Sequence, residues 1–297
     1  MRCDLQEIAD SRVRLKYRVA LEYEVAGDAD FLLNVHAAKT HRQLVVAEQF
    51  ELSTGNAYSL ATDPANGNRI VSFSAGPGKL VAKYEALVDI AHRFVDPREV
   101  IAEGPAALPV STLCFLYPSR YCQADLVSQR AWDTFGHMAR GYDQVHAVRD
   151  WINRNCRFQV GASNSTTSAI DTLRDGAGVC RDFAHAMITF CRALNYPARF
   201  VTGADYGADP ALGPPDFHAY VEVFVGGAWF MFEPTGISPI TGLLRIATGR
   251  DAADVSFATI FGPVATGMPL VEVDSVEDAV RGLIAPVATK LAVSTAD

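Results

Sequence analysis

The chain has 297 residues, of which 49% are hydrophobic and 20% are charged. This composition excludes a disordered or fibrous protein and predicts a soluble globular one, long enough for two domains at roughly 150 residues each. Its 26 basic and 34 acidic residues give a net charge of -8, which does not favour contact with a nucleic acid backbone. We therefore expect no nucleic acid partner.

The sequence shows no signal of membrane insertion or secretion. No stretch has the roughly 18 uninterrupted apolar residues of a membrane helix, and residues 1–10 lack an apolar signal core. Prolines interrupt the uncharged run 104–119, which predicts a connector there. The six cysteines are too few for a disulfide scaffold, so we expect thiols, a cytoplasmic location and no membrane contact.

Apolar and polar residues alternate in the first hundred positions. From 15 to 25 the odd positions are Leu, Tyr or Val, whereas the even positions are mostly charged, which predicts a half-buried strand. Further strands are predicted at 31–37, 43–52, 69–74 and 80–90, separated by turn residues. We predict an all-β domain over 1–105, a sandwich with a structural or docking role.

The pattern becomes helical after the connector, so a second domain is predicted over 106–297. Helices are predicted at 126–139 and 142–156, the latter with an apolar stripe. After a glycine loop at 175–178, apolar residues recur from Cys180 to Leu194 at the spacing of one helix face. Cys180 therefore begins a buried helix, where the positive end of the helix dipole favours a thiolate and free backbone N–H groups can hold an oxyanion.

The segment 217–233 reads as a β-hairpin with Gly226-Gly227 as its turn. A two-residue turn pairs Val225 with Ala228 and places Glu233 opposite Tyr220. His218 and Glu233 then share a sheet face as diagonal neighbours about 7 Å apart at the backbone. Together with Cys180 they supply a nucleophile, a base and an orienting acid for covalent acyl transfer.

Other histidines and cysteines fit such a site less well. His185 lies about 140° around the helix from Cys180, so it is expected to be a hydrogen-bonded core residue rather than the base. The same geometry argues against a zinc site from Cys180, His185 and Cys191, and Cys114 with Cys122 lacks zinc-ligand spacing. We expect no metal and no cofactor.

Several other residues near the predicted site remain open alternatives. Asp216 is the alternative acid if Glu233 instead caps a surface strand, and Asp182 lies close to Cys180 in the sequence. Trp151 and Trp229 are expected to be core aromatics, with an indole oxyanion donor as the alternative.

These segments resemble the bacterial transglutaminase-like superfamily, which has a papain-like cysteine protease fold. The matching stretches are 178–185, 193–200, 218–223 and 232–235, together with 119–122 and 249–255, which resemble members that carry an N-terminal β domain. The resemblance implies an α+β fold in which a β-sandwich precedes a transglutaminase-like core. It also implies a Cys-His-Asp triad, carried here by Cys180 and His218, with Glu233 where Asp is usual. Arg250, Asp251 and Asp254 resemble a family motif, for which we predict a buried ion-pair network.

Sequence and resemblance together predict a cysteine-dependent acyl-transfer enzyme acting on the amide bonds of peptides or proteins. Hydrolysis by a peptidase or amidase through a thioester acyl-enzyme is favoured, because water is the default acceptor. The alternatives are a protein-glutamine gamma-glutamyltransferase and a non-catalytic binding scaffold. The triad is expected to be Cys180, His218 and Glu233.

Overall fold

The computed structural model describes residues 12–208 and 216–296. The strands are β1 (Val13–Val25), β2 (Ala29–Leu33), β3 (Gln43–Leu52), β4 (Ser59–Thr62), β5 (Arg69–Ala75), β6 (Gly78–Ile90), β7 (Arg93–Val95), β8 (Arg157–Phe158), β9 (Ala177–Gly178), β10 (Ala198–Asp205), β11 (His218–Val225), β12 (Ala228–Phe232), β13 (Leu243–Gly249), β14 (Ala258–Phe261), β15 (Val264–Thr266), β16 (Leu270–Ser275) and β17 (Ala292–Ser294). The α-helices are α1 (Ser128–Phe135), α2 (Tyr142–Asn155), α3 (Ala169–Asp175) and α4 (Cys180–Ala193). Within these ranges, no helix combines the length and apolar composition that a membrane crossing requires.

Two antiparallel sheets form the N-terminal β domain. One has the order β15-β1-β6-β3, with β16 also paired to β1, and the other has the order β14-β2-β5-β4. In β1 every odd-numbered residue is buried, as the alternating sequence predicts. The ring of Tyr23 in β1 lies 5.1 Å from that of Phe31 in β2, so the two inner faces share one core.

The C-terminal part of the chain returns to this β domain. β14 pairs with β2, and β15 and β16 both pair with β1. The sequence-based division at 105/106 assigns these three strands to the second domain, whereas they complete the sheets of the first. These pairings join residues about 250 positions apart and cannot be predicted from the sequence. The alternation within a strand shows which residues are buried, but not which other strand it pairs with.

The second unit of the chain has an α+β architecture, in which helices cover a four-stranded antiparallel sheet. Its strand order is β12-β11-β10-β13. Helix α4 packs on β10 and β11, and α2 and α3 pack against α4. From Asp182 to Ala193 every residue of α4 is buried, so this helix is central to the core. Only its first two residues, Cys180 and Arg181, are partly exposed.

A buried ion cluster joins the strands of this sheet. Glu222 in β11 is fully buried and pairs with Arg199 at 2.6 Å and with Arg245. Burial favours the neutral carboxyl, but the two arginines outweigh that effect and lower the pKa of Glu222. The guanidinium of Arg199 also lies 4.2 Å from the ring centre of Trp229. The cluster therefore links β10, β11, β12 and β13.

The buried ion-pair network predicted at residues 250–254 is wrong. Arg250 and Asp254 do form an ion pair, with 2.8 Å between Nε and Oδ2, but their side chains are 53% and 31% exposed. Asp251 is buried and accepts hydrogen bonds from the backbone N–H groups of Tyr121 and Ala253, both at 2.9 Å. Amide donors rather than a cation satisfy this carboxylate, and so it fixes the connector to the C-terminal segment.

Candidate active site

Cys180 is the first residue of α4. Hydrogen bonds from the first turn of the helix fix the residue that precedes it. The side chain of Asp182 accepts a hydrogen bond from the N–H of Val179 at 2.9 Å, and the carbonyl of Val179 accepts from Asp182 and Phe183. The N–H groups of Cys180 and Arg181 precede these donors, so they have no intrahelical partner. Cys180 is a partly exposed free thiol at the positive end of the helix dipole.

A second anchor fixes the loop on one side of Cys180. The guanidinium of Arg181 donates to the hydroxyl of Ser163, to the carbonyl of Asn164 and to the carboxylate of Asp182, all within 3.1 Å. The parallel pairing of Phe158 with Gly178 holds the segment just before the helix. Specific hydrogen bonds therefore fix the backbone on both sides of Cys180.

The hairpin that carries His218 has the predicted register. Val225 pairs with Ala228, and the pairing continues without a shift to Val221 opposite Phe232. Gly226 and Gly227 both have positive φ, at 60° and 78°, as the predicted two-residue turn requires. Continuing the register places Glu233 opposite Tyr220, just beyond the end of β12, and so next to His218.

His218 lies between the thiol and the carboxylate. Its Nε2 is 3.3 Å from Oε1 of Glu233, and each side chain is 3% exposed. Nε2 of His218 has no aligned hydrogen-bond partner within the described part of the chain, so its contact with Glu233 is an ion pair. On the other side, the thiol of Cys180 lies close enough to the imidazole to raise its pKa, and its Sγ donates to the carbonyl of Phe217 at 3.9 Å.

Glu233 is held by the turn that follows it. Its carboxylate accepts from the N–H of Thr235 at 3.0 Å, from the hydroxyl of Thr235 and from the N–H of Gly236. From α2, Arg149 donates to the carbonyl of Glu233 at 2.8 Å and Asn153 donates to that of Thr235 at 2.7 Å. Gly236 has a φ of +74°, and a Cβ there would lie 3.1 Å from the amide nitrogen of Asn153, so glycine is needed.

The electrostatics of the site favour a charged pair of His218 and Glu233. Burial disfavours the protonated imidazole, but its contacts with Cys180 and Glu233 and the charge of Asp205 outweigh that effect and raise the pKa of His218 well above 6.5. Burial likewise opposes ionisation of Glu233, but His218 and Thr235 lower its pKa. At neutral pH the arrangement therefore holds an imidazolium between the carboxylate and the sulfur.

The alternative residues occupy other positions. His185 is fully buried, its Nε2 accepts from the N–H of Ala252 at 3.2 Å, and its ring stacks on Tyr121 at 4.9 Å. Its Nε2 lone pair is thus already used within the core. Asp216 is exposed, and its carboxylate accepts from the N–H of Phe217 at 2.7 Å.

The two tryptophans are half-buried and lie away from Cys180. Trp151 packs on Phe190, which is ten residues and therefore about 15 Å along α4 from the cysteine. Trp229 is paired with Phe224, six residues and about 20 Å along β11 from His218. Trp151 packs against the core as expected, Trp229 packs on Phe224 outside the core cluster, and neither position suits an indole oxyanion donor.

Sequence reasoning missed the residues that support the histidine and the acid. Asp205 acts on His218 through its charge, and its own carboxylate accepts from the hydroxyl of Ser238. Thr235 and Gly236 saturate the carboxylate of Glu233. The sequence signal for this turn is weak: Pro234 and Gly236 are turn residues, but they do not show which side chain the turn binds.

Comparison with known proteins identifies the family of the chain. A family model described as "Transglutaminase-like superfamily" matches residues 131–234, and one described as "Bacterial transglutaminase, N-terminal domain" matches residues 13–108. A crystal structure from Cytophaga hutchinsonii, described as that of a "Putative Cysteine Protease", is 35% identical with a TM-score of 0.89, covering 96% of this chain and 98% of that one. A Mycobacterium leprae protein described as "Uncharacterized protein ML0607" is 30% identical over 117 residues, which is 38% of this chain and 42% of that protein. The match thus spans less than half of this last relative, whereas the crystal structure matches almost end to end. The chain belongs to the transglutaminase-like superfamily and has a papain-like α+β core behind an N-terminal β domain of the bacterial transglutaminase type.

Proposed function

We propose that the chain is a cysteine-dependent enzyme that hydrolyses amide bonds of peptides or proteins, with Cys180 as nucleophile, His218 as acid and base, and Glu233 as the orienting acid. The observation that carries this proposal is the arrangement of the three side chains: Nε2 of His218 lies 3.3 Å from the buried carboxylate of Glu233, and the thiol of Cys180 interacts with the same imidazole. The relative from Cytophaga hutchinsonii, described as a "Putative Cysteine Protease", adds support.

The proposed reaction has two steps. In the first, the sulfur of Cys180 attacks the amide carbonyl carbon, the C–S bond forms, and His218 protonates the leaving amine as the C–N bond breaks. In the second, His218 takes a proton from water, the water oxygen attacks the thioester, and the acid leaves as the thiolate is restored. Glu233 stabilises the imidazolium throughout and keeps the ring in place.

The oxyanion formed in each step needs hydrogen-bond donors. The N–H groups of Cys180 and Arg181 have no partner within α4, and they lie at the positive end of its dipole. Donors fixed by a rigid helix need no reorganisation when the charge develops, which is why such groups stabilise the transition state. We assign the oxyanion site to this first turn.

Amine transfer is the second candidate, because the N-terminal domain matches the bacterial transglutaminase type. The two reactions share the thioester and differ only in the acceptor that releases it. Water at about 55 M is the default acceptor unless the site excludes it, and Cys180 is partly exposed to solvent. A non-catalytic scaffold is less well supported, because Glu233 is in contact with His218.

A competition assay separates hydrolysis from transfer. A γ-glutamyl amide peptide is incubated with the protein and a fluorescent primary amine, and the products are quantified by mass spectrometry. We expect free acid as the main product, with amine adduct below about a tenth of it. Predominant adduct formation would replace the hydrolase by a transglutaminase. The Cys180→Ala protein is the control, and it should give neither product.

We also propose a reducing, cytoplasmic location. Cys114, Cys122, Cys156, Cys180 and Cys191, the cysteines in the described part of the chain, carry free thiols. A nucleophilic thiol has to stay reduced to act, and cytoplasmic conditions maintain that state.

A further inference from the structure

Two side chains of α2 hold the turn that carries Glu233. Arg149 and Asn153 are four residues apart and therefore lie on the same face of this helix. The side chain of Arg149 donates to the carbonyl of Glu233 at 2.8 Å. That of Asn153 donates to the carbonyls of Pro234 and Thr235, at 3.3 and 2.7 Å. Three consecutive carbonyl groups thus receive hydrogen bonds from two residues of one helix.

The same stretch of backbone sets the position of the carboxylate of Glu233. That carboxylate accepts from the N–H groups of Thr235 and Gly236, so it follows the path of the chain over 233–236. Glu233 and Thr235 are buried, and water replaces a lost donor poorly in such a place. Loss of the donors from α2 would therefore shift the backbone, and the carboxylate with it.

Contacts on both sides of Glu233 fix α2 against this turn. On the strand that precedes the acid, the ring of Phe232 lies 4.9 Å from that of Tyr142 in α2. Beyond the acid, a Cβ at Gly236 would lie 3.1 Å from the amide nitrogen of Asn153, so the helix lies directly against the turn. The donors of α2 are thus held at a fixed distance from the carbonyls that accept from them.

We infer that Arg149 and Asn153 are positioning residues of the reaction, which hold the turn 233–236 so that the carboxylate of Glu233 stays beside His218. This inference rests on the proposed function. A displacement of about 1 Å would weaken the contact of 3.3 Å between the carboxylate and the imidazole, and errors of this size cost catalytic rate. Both residues act on the turn and not on the substrate, so their loss lowers kcat and leaves KM nearly unchanged.

The C-terminal end of α2 also supplies matched controls. Arg154 and Asn155 repeat the residue types of Arg149 and Asn153, and both are exposed. Their side chains donate to carbonyls of their own helix, at 3.1 and 2.8 Å. Replacing them removes the same chemical groups from the same helix while leaving the turn 233–236 held.

Steady-state hydrolysis of a peptide amide measures the effect. Asn153→Ala should lower kcat about tenfold and change KM by less than about twofold, whereas Asn155→Ala should keep both. Asn153→Asp keeps the size of the side chain but has no N–H donor, so it should lose at least as much. Arg149→Met and Arg154→Met repeat the comparison at the other contact, which keeps the test valid if one variant folds poorly.

A double-mutant cycle shows whether Asn153 acts through Glu233. Glu233→Gln lacks the charge that Asn153 positions, so adding Asn153→Ala to it should lower kcat by less than about twofold. A structural role unrelated to the acid would give the same loss of about tenfold in both backgrounds.

The outcomes are distinguishable. Unchanged kcat in Asn153→Ala and Arg149→Met, or an equal loss with and without Glu233→Gln, would overturn the positioning role and leave the proposed nucleophile standing. If the unmodified protein hydrolyses the amide no faster than Cys180→Ala, the proposed function is overturned, and this inference with it.

Discussion

Replacing Cys180 with alanine is expected to abolish amide hydrolysis, with a loss of about 10⁴-fold or more. The sulfur forms the acyl bond in the proposed reaction, and no other described thiol is placed to substitute for it. Cys191 is fully buried three turns further along α4, and the remaining described thiols lie outside this helix. Hydrolysis of a peptide amide, measured by mass spectrometry, gives the comparison with the unmodified protein.

The same variant should remain folded. Cys180 is partly exposed at the first position of α4, so losing its sulfur leaves no deep cavity, and the free energy of unfolding should change by less than about 1 kcal/mol. Cys114→Ala is the matched control, since it removes an exposed thiol elsewhere and should keep full activity. Unchanged hydrolysis in Cys180→Ala would rule out covalent catalysis at this residue.

Replacing Glu233 with glutamine should lower kcat by about 10²-fold or more, the second largest effect we expect. The amide group has no negative charge, so it lowers the pKa of His218 toward that of an ordinary imidazole and destabilises the imidazolium. One carboxylate oxygen is also replaced by an NH₂ group, which cannot accept a hydrogen bond. Part of the set of hydrogen bonds from Thr235 and Gly236 is therefore lost. Steady-state kinetics over a range of pH measures both effects.

Asp216→Asn is the matched control for this experiment. Asp216 is exposed, and its amide variant keeps the oxygen that accepts from the N–H of Phe217. Its activity should therefore stay within about twofold of the parent. A large loss in Asp216→Asn with little loss in Glu233→Gln would transfer the role of the acid to Asp216.

The structure predicts a lower activity for Glu233→Asp than the sequence alone does. From the sequence alone, aspartate at 233 should serve as well as glutamate, since Asp is usual there in the family it resembles. The carboxylate of Glu233 reaches His218 while also accepting from Thr235 and Gly236. Removing one methylene breaks part of this set, so Glu233→Asp should lose activity.

The elements around the site were predictable because their signals are local. The apolar spacing after Cys180 gives α4, and Gly226-Gly227 fixes the turn type of the hairpin, which fixes its register. Once the register is fixed, the alternation of side chains brings His218 and Glu233 together without further information. For the same reason β3 has the predicted bounds, 43 to 52.

The remaining features depend on contacts between distant residues. β14, β15 and β16 add to the N-terminal sheets, and no sequence pattern identifies β1 and β2 as their partners. The resemblance of residues 250–254 to a family motif likewise does not locate the buried ion cluster, because burial of Glu222 depends on the sheet that brings Arg199 and Arg245 to it. Helix α1 covers Ser128–Phe135 instead of the predicted 126–139, and a 3-10 helix over Ala124–Val127 replaces its predicted first residues.

The central claim is that the sulfur of Cys180 is activated by an imidazolium. Because its contacts raise the pKa of His218 well above 6.5, the ring stays protonated at pH 6 and loses its proton only as the pH rises through that higher value. A cation beside the sulfur stabilises the negative charge that makes sulfur a strong nucleophile, and an exposed thiol without such a neighbour lacks this stabilisation.

Iodoacetamide alkylation at pH 6, followed for each cysteine by peptide mass spectrometry, tests this claim most directly. Cys180 should react at least about tenfold faster than the exposed Cys114, and His218→Ala should remove that difference. If Cys180 reacts no faster than Cys114 at pH 6, the sulfur is not activated and the account of this site is contradicted.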